Sequence, residues 1–250
     1  MSDTYLSLII PVYNEAHRIE HLLDTLSRWS SNCVYYTEIL LISDGSRDQT
    51  DPLIQARLAT LNHQTCNTRL LTRSTNRGKG AAVAAGIRSA RGRYIAFADA
   101  DLSAPLAELD TLIDALTSGA DLVIGTRRTH RFARIYKSPL RDVLSIALTF
   151  VVQPMLAEVI DTQCGLKAYR RACARHIVAR QSVAGFAFDI EHLLLAKQAG
   201  FKIHQQPIVW HDRPESKVSI LDTAIPFLRE LIKLYVFAFT SVPLSRPLRE

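Results

Sequence analysis

The sequence predicts an α/β protein built on a doubly wound, mostly parallel sheet, with amphipathic helices at its C-terminal end. Three observations support this prediction. Short apolar runs alternate with amphipathic stretches through the first half, and polar residues follow each apolar run. The chain has 250 residues, 48% hydrophobic and 22% charged, which suits one large domain with a well-buried core and argues against disorder.

The alternation places the individual elements. The apolar runs predicted as buried strands are Leu6–Ile10, Ile39–Ser43, Arg69–Thr72, Tyr94–Ala98 and Leu122–Gly125. The amphipathic stretches predicted as helices are Arg18–Arg28, Asp51–Leu61, Gly80–Ser89 and Leu106–Leu116. Because a β-α-β-α order gives parallel strands, ligands are expected beyond the carboxyl ends of these strands.

The second half has a different pattern. A basic linker over 127–141 precedes an apolar stretch, Val143–Ile160, which contains Gln153, Pro154 and Glu158 and predicts a kinked buried or interfacial helix, not a membrane span. A loop over 161–165, a helix over 189–199, a strand over 202–210 and a polar turn over 212–217 follow. We therefore predict a catalytic domain over 1–220, with a nucleotide-binding half over 1–126 and an acceptor-binding half over 127–220.

An amphipathic helical segment is predicted over 221–250. The apolar residues that form one stripe on this helix are Leu221, Ala224, Ile225, Leu228, Leu231, Ile232, Tyr235 and Phe239. Two interpretations stay open: the stripe packs on the domain, or it lies in the interface of a bilayer.

Charge and cysteine content narrow the function classes. The formal net charge of +6 is compatible with nucleic acid, an anionic membrane surface or phosphate-rich substrates. No basic groove with interleaved aromatic residues favours nucleic acid. The four cysteines lack CxxC spacing, which predicts reduced thiols of a cytoplasmic protein. The apolar run starts almost at once, without a basic n-region, so no signal peptide is expected.

The strongest chemical signal is Asp99-Ala-Asp101, directly after a predicted strand. Two carboxylates two residues apart at a strand end can share one divalent cation, Mg²⁺ or Mn²⁺, and one of them can also reach a ribose hydroxyl. Turn or helix-capping aspartates would give the same pattern. Other strand ends supply the context that favours the metal.

Three other strand ends carry polar motifs. The first runs from Pro11 to Glu15, the second from Asp44 to Thr50, and the third is Asn76-Arg-Gly-Lys-Gly80 at the start of a helix. Asp44 can accept a hydrogen bond from the N3–H of uracil, and a glycine-rich helix start suits phosphate.

In this order and spacing the four strand ends resemble those of family 2 glycosyltransferases with the GT-A fold. Three downstream motifs, Asp161-Thr-Gln163-Cys-Gly165-Leu-Lys167, Gly185-Phe-Ala-Phe-Asp189-Ile-Glu191 and Ser216-Lys217, resemble the dolichyl-phosphate glucosyltransferase and polyprenyl-phosphate glycosyltransferase branch. Dolichyl-phosphate mannose synthases are also similar. The resemblance extends over about residues 5 to 220.

The resemblance implies a donor pocket and a metal site. The residues implied to line the nucleotide pocket are Pro11, Tyr13, Glu15, Asp44, Lys79, Asp99 and Ala100. Asp101 is implied as the principal metal ligand, together with Asp99, for Mg²⁺ or Mn²⁺. Mannose synthases have a glutamine two positions after the second aspartate, where this chain has Ser103.

The resemblance also implies an acceptor side. Arg127, Arg141 and Gln163 would contact the acceptor phosphate, and Arg213 and Lys217 would hold the departing diphosphate. The cations of the basic linker would attract a lipid phosphate at an anionic surface, with about 1 kcal/mol from each cation.

The implied reaction is a metal-dependent, inverting transfer of a hexose, glucose from UDP-glucose first, to dolichyl or polyprenyl phosphate. The enzyme is expected at the cytoplasmic face of a membrane as a peripheral protein. A phosphate monoester is already largely ionised at pH 7, so the acceptor needs positioning cations more than a base. If a base acts, Asp161 is the first candidate and Asp189 the second.

Three alternatives remain. The same fold could transfer sugar to a hydroxyl of a saccharide or glycolipid, which would need a true base. A basic nucleic-acid-binding domain is suggested by charge alone. A sugar nucleotidyltransferase would share the nucleotide-binding architecture, but the glycine-rich pyrophosphorylase signature is missing from the sequence.

Overall fold

The structure is a computed structural model that describes residues 4–127, 152–211 and 220–240, with the backbone alone over 220–223. Three predicted site residues, Arg141, Arg213 and Lys217, lie outside these ranges, as does most of the basic linker.

A seven-stranded mixed sheet organises the described residues. Its strands are β1 (Leu6–Val12), β2 (Thr37–Ser43), β3 (Cys66–Thr72), β4 (Tyr94–Ala98), β5 (Leu122–Thr126), β6 (Leu166–Arg170) and β7 (Ile203–Pro207). The order across the sheet is β3-β2-β1-β4-β6-β5-β7. All neighbouring pairs are parallel except those of β6, which runs antiparallel to both β4 and β5. The predicted doubly wound, mostly parallel α/β sheet is confirmed.

Helices cover the sheet. They are α1 (Ile19–Ser30), α2 (Thr50–Leu61), α3 (Lys79–Ser89), α4 (Glu108–Thr117), α5 (Arg171–Val178), α6 (Phe188–Gln198) and α7 (Ile220–Thr240). The central strands β1, β2 and β4 are buried almost throughout, because helices pack against both faces of a parallel sheet. Strands from both predicted halves of the domain join in this one sheet.

The predicted elements agree with the structure except in the second half. β6 and α5 had no predicted counterpart, and they bring the chain back into the sheet between β4 and β5. The long helix predicted over Val143–Ile160 falls mostly outside the described residues. Its predicted end is wrong, because the described part leaves helical structure after Val152 and forms turns around Pro154.

Helix α7 packs on α6 through one face only. Leu231 and Leu234 are buried, and among the stripe members whose side chains are described, Leu231 is the one that packs. The other members with described exposed side chains face outward, as does Val236; they are Ala224, Ile225, Leu228, Ile232, Tyr235 and Phe239. Among the described residues, no helix has the length and apolar character to cross a membrane.

Candidate active site

The ends of β1 and β2 are tied together by hydrogen bonds from one loop to the other. The Asn14 N–H donates to Ser46 Oγ at 3.2 Å, and the Arg47 N–H donates to Asn14 Oδ1 at 2.8 Å. The Glu15 N–H donates to Thr50 Oγ1 at 2.7 Å, while the Glu15 side chain pairs with Arg18. These bonds fix the loop that carries Tyr13, whose ring remains 42% exposed at the edge of the sheet.

Asp44 fixes the third strand-end motif. Its buried carboxylate accepts from the backbone N–H of Arg77 at 3.1 Å and of Gly78 at 2.7 Å, and Arg73 lies 3.1 Å from it. A carboxylate has about four acceptor positions, so these partners leave limited capacity for a nucleotide base. Asp44 therefore shapes the turn before Lys79.

Lys79 connects the third and fourth strand ends. Its Nζ lies 2.6 Å from Asp99 Oδ1 and 5.9 Å from the ring centroids of Phe97 and Phe188. Burial acts to lower the pKa of Lys79, but the carboxylates of Asp99, Asp189 and Asp101 outweigh it and raise this pKa. Lys79 is thus held as a cation by the three carboxylates around it.

Of the two carboxylates Asp99 and Asp101, Asp99 alone has an ion pair within the described residues. Asp101 Oδ1 accepts from the Ser103 N–H at 2.9 Å, and Leu102 between them has a φ of 48°. Ser103 is buried, and besides its N–H its backbone O is bonded, accepting from the His211 N–H at 2.8 Å. Ala100, beside Asp101, is half-buried at the same edge.

The residues fit a divalent cation that is held jointly by protein and substrate. Asp101 can offer a carboxylate oxygen, whereas Asp99 Oδ1 lies 2.6 Å from Lys79 Nζ. In the described ranges no group of three or more His, Cys, Asp or Glu residues could hold a metal. Mg²⁺ commonly binds through one or two carboxylates plus substrate phosphates, and Asp101 with Asp99 would suit that mode of binding.

The loop before β6 lies against the Asp99 loop. The Asp99 N–H donates to Gly165 O at 3.0 Å, and a Cβ atom at Gly165 would overlap the Asp99 carboxylate. Gln163 lies half-buried on the same loop. The loop therefore forms one wall of the Asp99 site, and only glycine leaves room for it.

Asp161 begins this loop and is paired with Arg127. Its Oδ2 accepts from Arg127 Nε at 2.7 Å and its Oδ1 from Arg127 Nη2 at 2.8 Å. Burial acts to raise the pKa of Asp161, but the hydrogen bonds and charge of Arg127 outweigh it and hold this pKa below its usual value. The guanidinium of Arg127 also stacks 4.9 Å from the Trp210 ring centroid.

Asp189 is paired with a second buried lysine. Lys167 is fully buried in β6, and its Nζ donates to Asp189 Oδ1 at 2.5 Å and to Cys164 O at 2.7 Å. Burial raises the pKa of Asp189, although the charges of Lys167 and Lys79 oppose the effect. Asp189 thus lies in the first turn of α6, between the two lysines.

The structure brings most of the predicted residues to one edge of the sheet. Asp44, Lys79, Asp99, Asp101 and Asp189 are linked by the contacts above. Asp161 and Arg127 join them through the loop that carries Gly165.

The sequence does not predict the contacts of two further residues near the site. Lys167 was noted in a motif without a role, although a lysine between apolar Leu166 and Ala168 of a buried strand is a signal for a buried acidic partner. Glu230 was also missed. Its carboxylate, on α7, accepts from the N–H groups of Gly185 and Ala187 at the start of α6, and no local pattern marks such a contact.

Two dolichyl-phosphate beta-glucosyltransferases are similar to this chain over most of its length. A dolichyl-phosphate beta-glucosyltransferase of Trichomonas vaginalis is 34% identical over 94% of this chain and 74% of its own length. One of Saccharomyces cerevisiae is 34% identical over 92% of this chain and 74% of its own length.

Solved structures show the same fold. Glucosyl-3-phosphoglycerate synthase from Mycobacterium tuberculosis in complex with UDP aligns with a TM-score of 0.67 at 18% identity, covering 98% of this chain and 88% of that one. The same enzyme with Mn²⁺, UDP and glucosyl-3-phosphoglycerate aligns with a TM-score of 0.64 at 20% identity, covering 97% and 82%. The model of the family described as "Glycosyl transferase family 2" matches residues 7–177, and the chain therefore belongs to this family of glycosyltransferases.

Proposed function

We propose that this glycosyltransferase moves glucose from UDP-glucose to a dolichyl or polyprenyl phosphate, with inversion at the anomeric carbon. The observation that carries the proposal is the identity of 34%, over more than nine-tenths of the chain, with two dolichyl-phosphate beta-glucosyltransferases. The cluster of Asp44, Lys79, Asp99 and Asp101 at the carboxyl edge of the sheet supports it, because ligands of doubly wound sheets bind at that edge.

The donor would bind across this edge. Tyr13 and Asp44 would contact the base, with Pro11 and Glu15 on the loop behind them, and Lys79 would face the diphosphate. Structures of the same fold were solved with UDP and Mn²⁺, which supports a nucleotide diphosphate and a divalent cation. Mg²⁺ or Mn²⁺ at Asp101, with Asp99, would neutralise charge on the diphosphate as it leaves.

The second half would receive the acceptor. Arg127 and Gln163 are the described candidates for its phosphate, and Arg141 is a further candidate outside the described residues. Arg213 and Lys217, also outside them, would hold the departing diphosphate. We assign Arg127 the leading role because both oxygens of the buried Asp161 bond to its Nε and Nη2 and hold the guanidinium in place.

Asp161 and Asp189 would act chiefly by positioning cations. Each is paired with a basic side chain, Asp161 with Arg127 and Asp189 with Lys167. A phosphate monoester, whose second pKa is about 6, attacks in its ionised form and has no proton to surrender at pH 7. A hydroxyl acceptor would instead require one of these carboxylates as a base.

Helix α7 would dock on the membrane that holds the lipid. Its outward apolar stripe runs from Ile225 to Phe239, and the exposed cations Arg229 and Lys233 lie beside it. An apolar face flanked by cations is typical of helices that lie in the interface of an anionic bilayer. We therefore propose peripheral binding at the cytoplasmic face, with 221–250 as the docking segment of the 1–220 catalytic domain.

A transfer assay tests the reaction. UDP-glucose and GDP-mannose, each radiolabelled, are offered with polyprenyl phosphate in phosphatidylserine-containing vesicles, with and without excess EDTA. We expect lipid-linked label from UDP-glucose only, and its loss with EDTA. Absence of any lipid-linked product would overturn the acceptor, and product formed in EDTA would overturn the metal.

A flotation assay tests the docking surface. Ile232→Ser/Phe239→Ser should reduce binding to the same vesicles, whereas Val34→Ser, which removes an apolar side chain 89% exposed at the other end of the sheet, should not. Equal binding of both variants would contradict the assignment of α7.

A further inference from the structure

Helix α6 begins at a turn that another helix caps. The N-cap position is Ala187, and no side chain from its own segment bonds the exposed N–H groups there. Glu230 of α7 bonds the turn that leads into the helix, with Oε1 2.9 Å from the Gly185 N and Oε2 3.3 Å from the Ala187 N. A carboxylate at a helix N-terminus also interacts favourably with the helix dipole.

The same turn holds the start of α3. The Gly80 N–H donates to Gly185 O at 3.2 Å, and the Ala81 N–H donates to Ala184 O at 3.0 Å. These bonds satisfy two N–H groups of the α3 N-terminus, which otherwise need a partner. The turn is therefore a bridge: its N–H groups face Glu230, and its carbonyl groups face the helix that carries Lys79.

The 184–187 turn is closely packed on both sides. A Cβ atom at Gly78 would lie 2.5 Å from Ala184 O, and one at Gly80 would lie 2.6 Å from Phe188 Cβ. On the other side, a Cβ atom at Gly185 would lie 2.6 Å from Glu230 Oε1. Because the contacts are this close, a displacement of the turn must move Gly78 and Gly80, and Lys79 between them.

We propose that Glu230 is a positioning residue. Through it, the position of Lys79 in the donor pocket depends on the position of α7. Glu230 holds the 184–187 turn, the turn holds the start of α3, and α3 places Lys79 beside Asp99. The inference rests on the proposed function, since it takes the pocket to bind a nucleoside diphosphate and α7 to lie on the membrane.

The test measures binding of UDP, with Mn²⁺, to the full chain on phosphatidylserine-containing vesicles, by calorimetry. Glu230→Ala should weaken UDP binding at least about fivefold, a typical coupling between sites. Glu230→Gln should recover part of the loss, because its amide oxygen still accepts one N–H. Flotation with vesicles should be unchanged in both, and Glu20→Ala, which removes an exposed acid on α1, should bind UDP like the wild type.

Kinetics and a second substitution separate positioning from loss of structure. Glu230→Ala should raise the KM for UDP-glucose more than it lowers kcat. Gly185→Ala should weaken UDP binding in the wild type and add little in the Glu230→Ala background, where the collision with the carboxylate is gone.

The outcomes distinguish the two proposals. If the wild type fails to bind UDP, the proposed function falls and the inference falls with it. If the wild type binds UDP and Glu230→Ala binds it equally well, the inference alone is overturned. Weaker binding that both Glu230→Gln and Glu230→Ala show in full, with an equal loss of thermal stability, would also overturn it in favour of a purely structural role.

Discussion

The loop after β4 and the loop before β6 lie against each other, and their carboxylates are held in different ways. In the first loop, Asp101 accepts one backbone N–H, from Ser103, through a single oxygen. In the second, both oxygens of Asp161 are bonded to the guanidinium of Arg127, and the carboxylate is buried. A hydrogen bond, from the Asp99 N–H to Gly165 O, joins the two loops.

Because of this difference, the two carboxylates suit different roles. A carboxylate with acceptor capacity left can bind an incoming cation, so Asp101 suits a metal ion that arrives with the nucleotide. A buried carboxylate already paired with a cation is a poor base, because its pKa is held low and its lone pairs are used. We therefore expect the first loop to bind the cation and the second to orient Arg127.

The largest effect is expected at the open carboxylate. Asp101→Asn should lower kcat/KM about a thousandfold, because it removes charge that stabilises the departing diphosphate through the bound cation. Binding of Mn²⁺ with UDP, followed by calorimetry, should weaken in parallel. Asp24→Asn, which removes an exposed acid on α1, is the control. Near-normal turnover of Asp101→Asn would contradict cation binding by Asp101.

The next effect is expected where the loops touch. Gly165→Ala should lower kcat/KM about a hundredfold, because its methyl group must displace the Asp99 carboxylate and misplace Lys79. Gly119→Ala is a matched control, since a methyl group there meets no atom within 4 Å although the φ of 112° strains it. That control should lose stability and keep its kinetic constants, and unimpaired activity of Gly165→Ala would contradict the close contact.

The first loop could be predicted from the sequence and much of the second could not. Strand-end motifs such as Asp99-Ala-Asp101 are local: a buried apolar run predicts the strand, and parallel strands bring their carboxyl ends to one edge. The pairing of Lys167 with Asp189 joins residues 22 apart across β6 and α6. It depends on the antiparallel placement of β6 between β4 and β5, a strand for which the five-residue segment gives only a weak pattern.

The contacts of helix α7 also could not be predicted from the sequence alone. Its apolar stripe followed from helical periodicity, but two apolar faces exist on this helix, and periodicity alone cannot decide which one packs. The structure buries Leu234 together with Leu231 and leaves Ile232 exposed. Glu230 lies beside this contact, and its acceptor role depends on the 184–187 turn, more than 40 residues away in sequence.

A smaller effect is expected at the paired carboxylate. Asp161→Asn should lower kcat less than about tenfold, because its amide oxygen can still orient Arg127 and the phosphate acceptor has no proton to lose. Arg127→Met should raise the KM for polyprenyl phosphate more than Asp161→Asn does, and the double variant should be no worse than Arg127→Met alone. Near-complete loss in Asp161→Asn, with lipid binding intact, would favour a hydroxyl acceptor and a true base.

The smallest effect is expected in the pH profile. Turnover should fall as the pH drops below about 6, where the acceptor phosphate takes up its second proton, and Asp161→Asn should leave this limb in place. Arg127 holds the pKa of Asp161 below its usual value, so the stability from this pairing is fully present above the usual pKa of an aspartate and is lost as the pH falls through the lowered pKa. Burial lowers the pKa of His192 to about 3, so its neutral form is favoured by the fold and stability declines as the pH falls from 6.5 toward 3. Unfolding measured at each pH separates this decline from catalysis, and an acid limb that disappears in Asp161→Asn would show that Asp161 is the group that titrates.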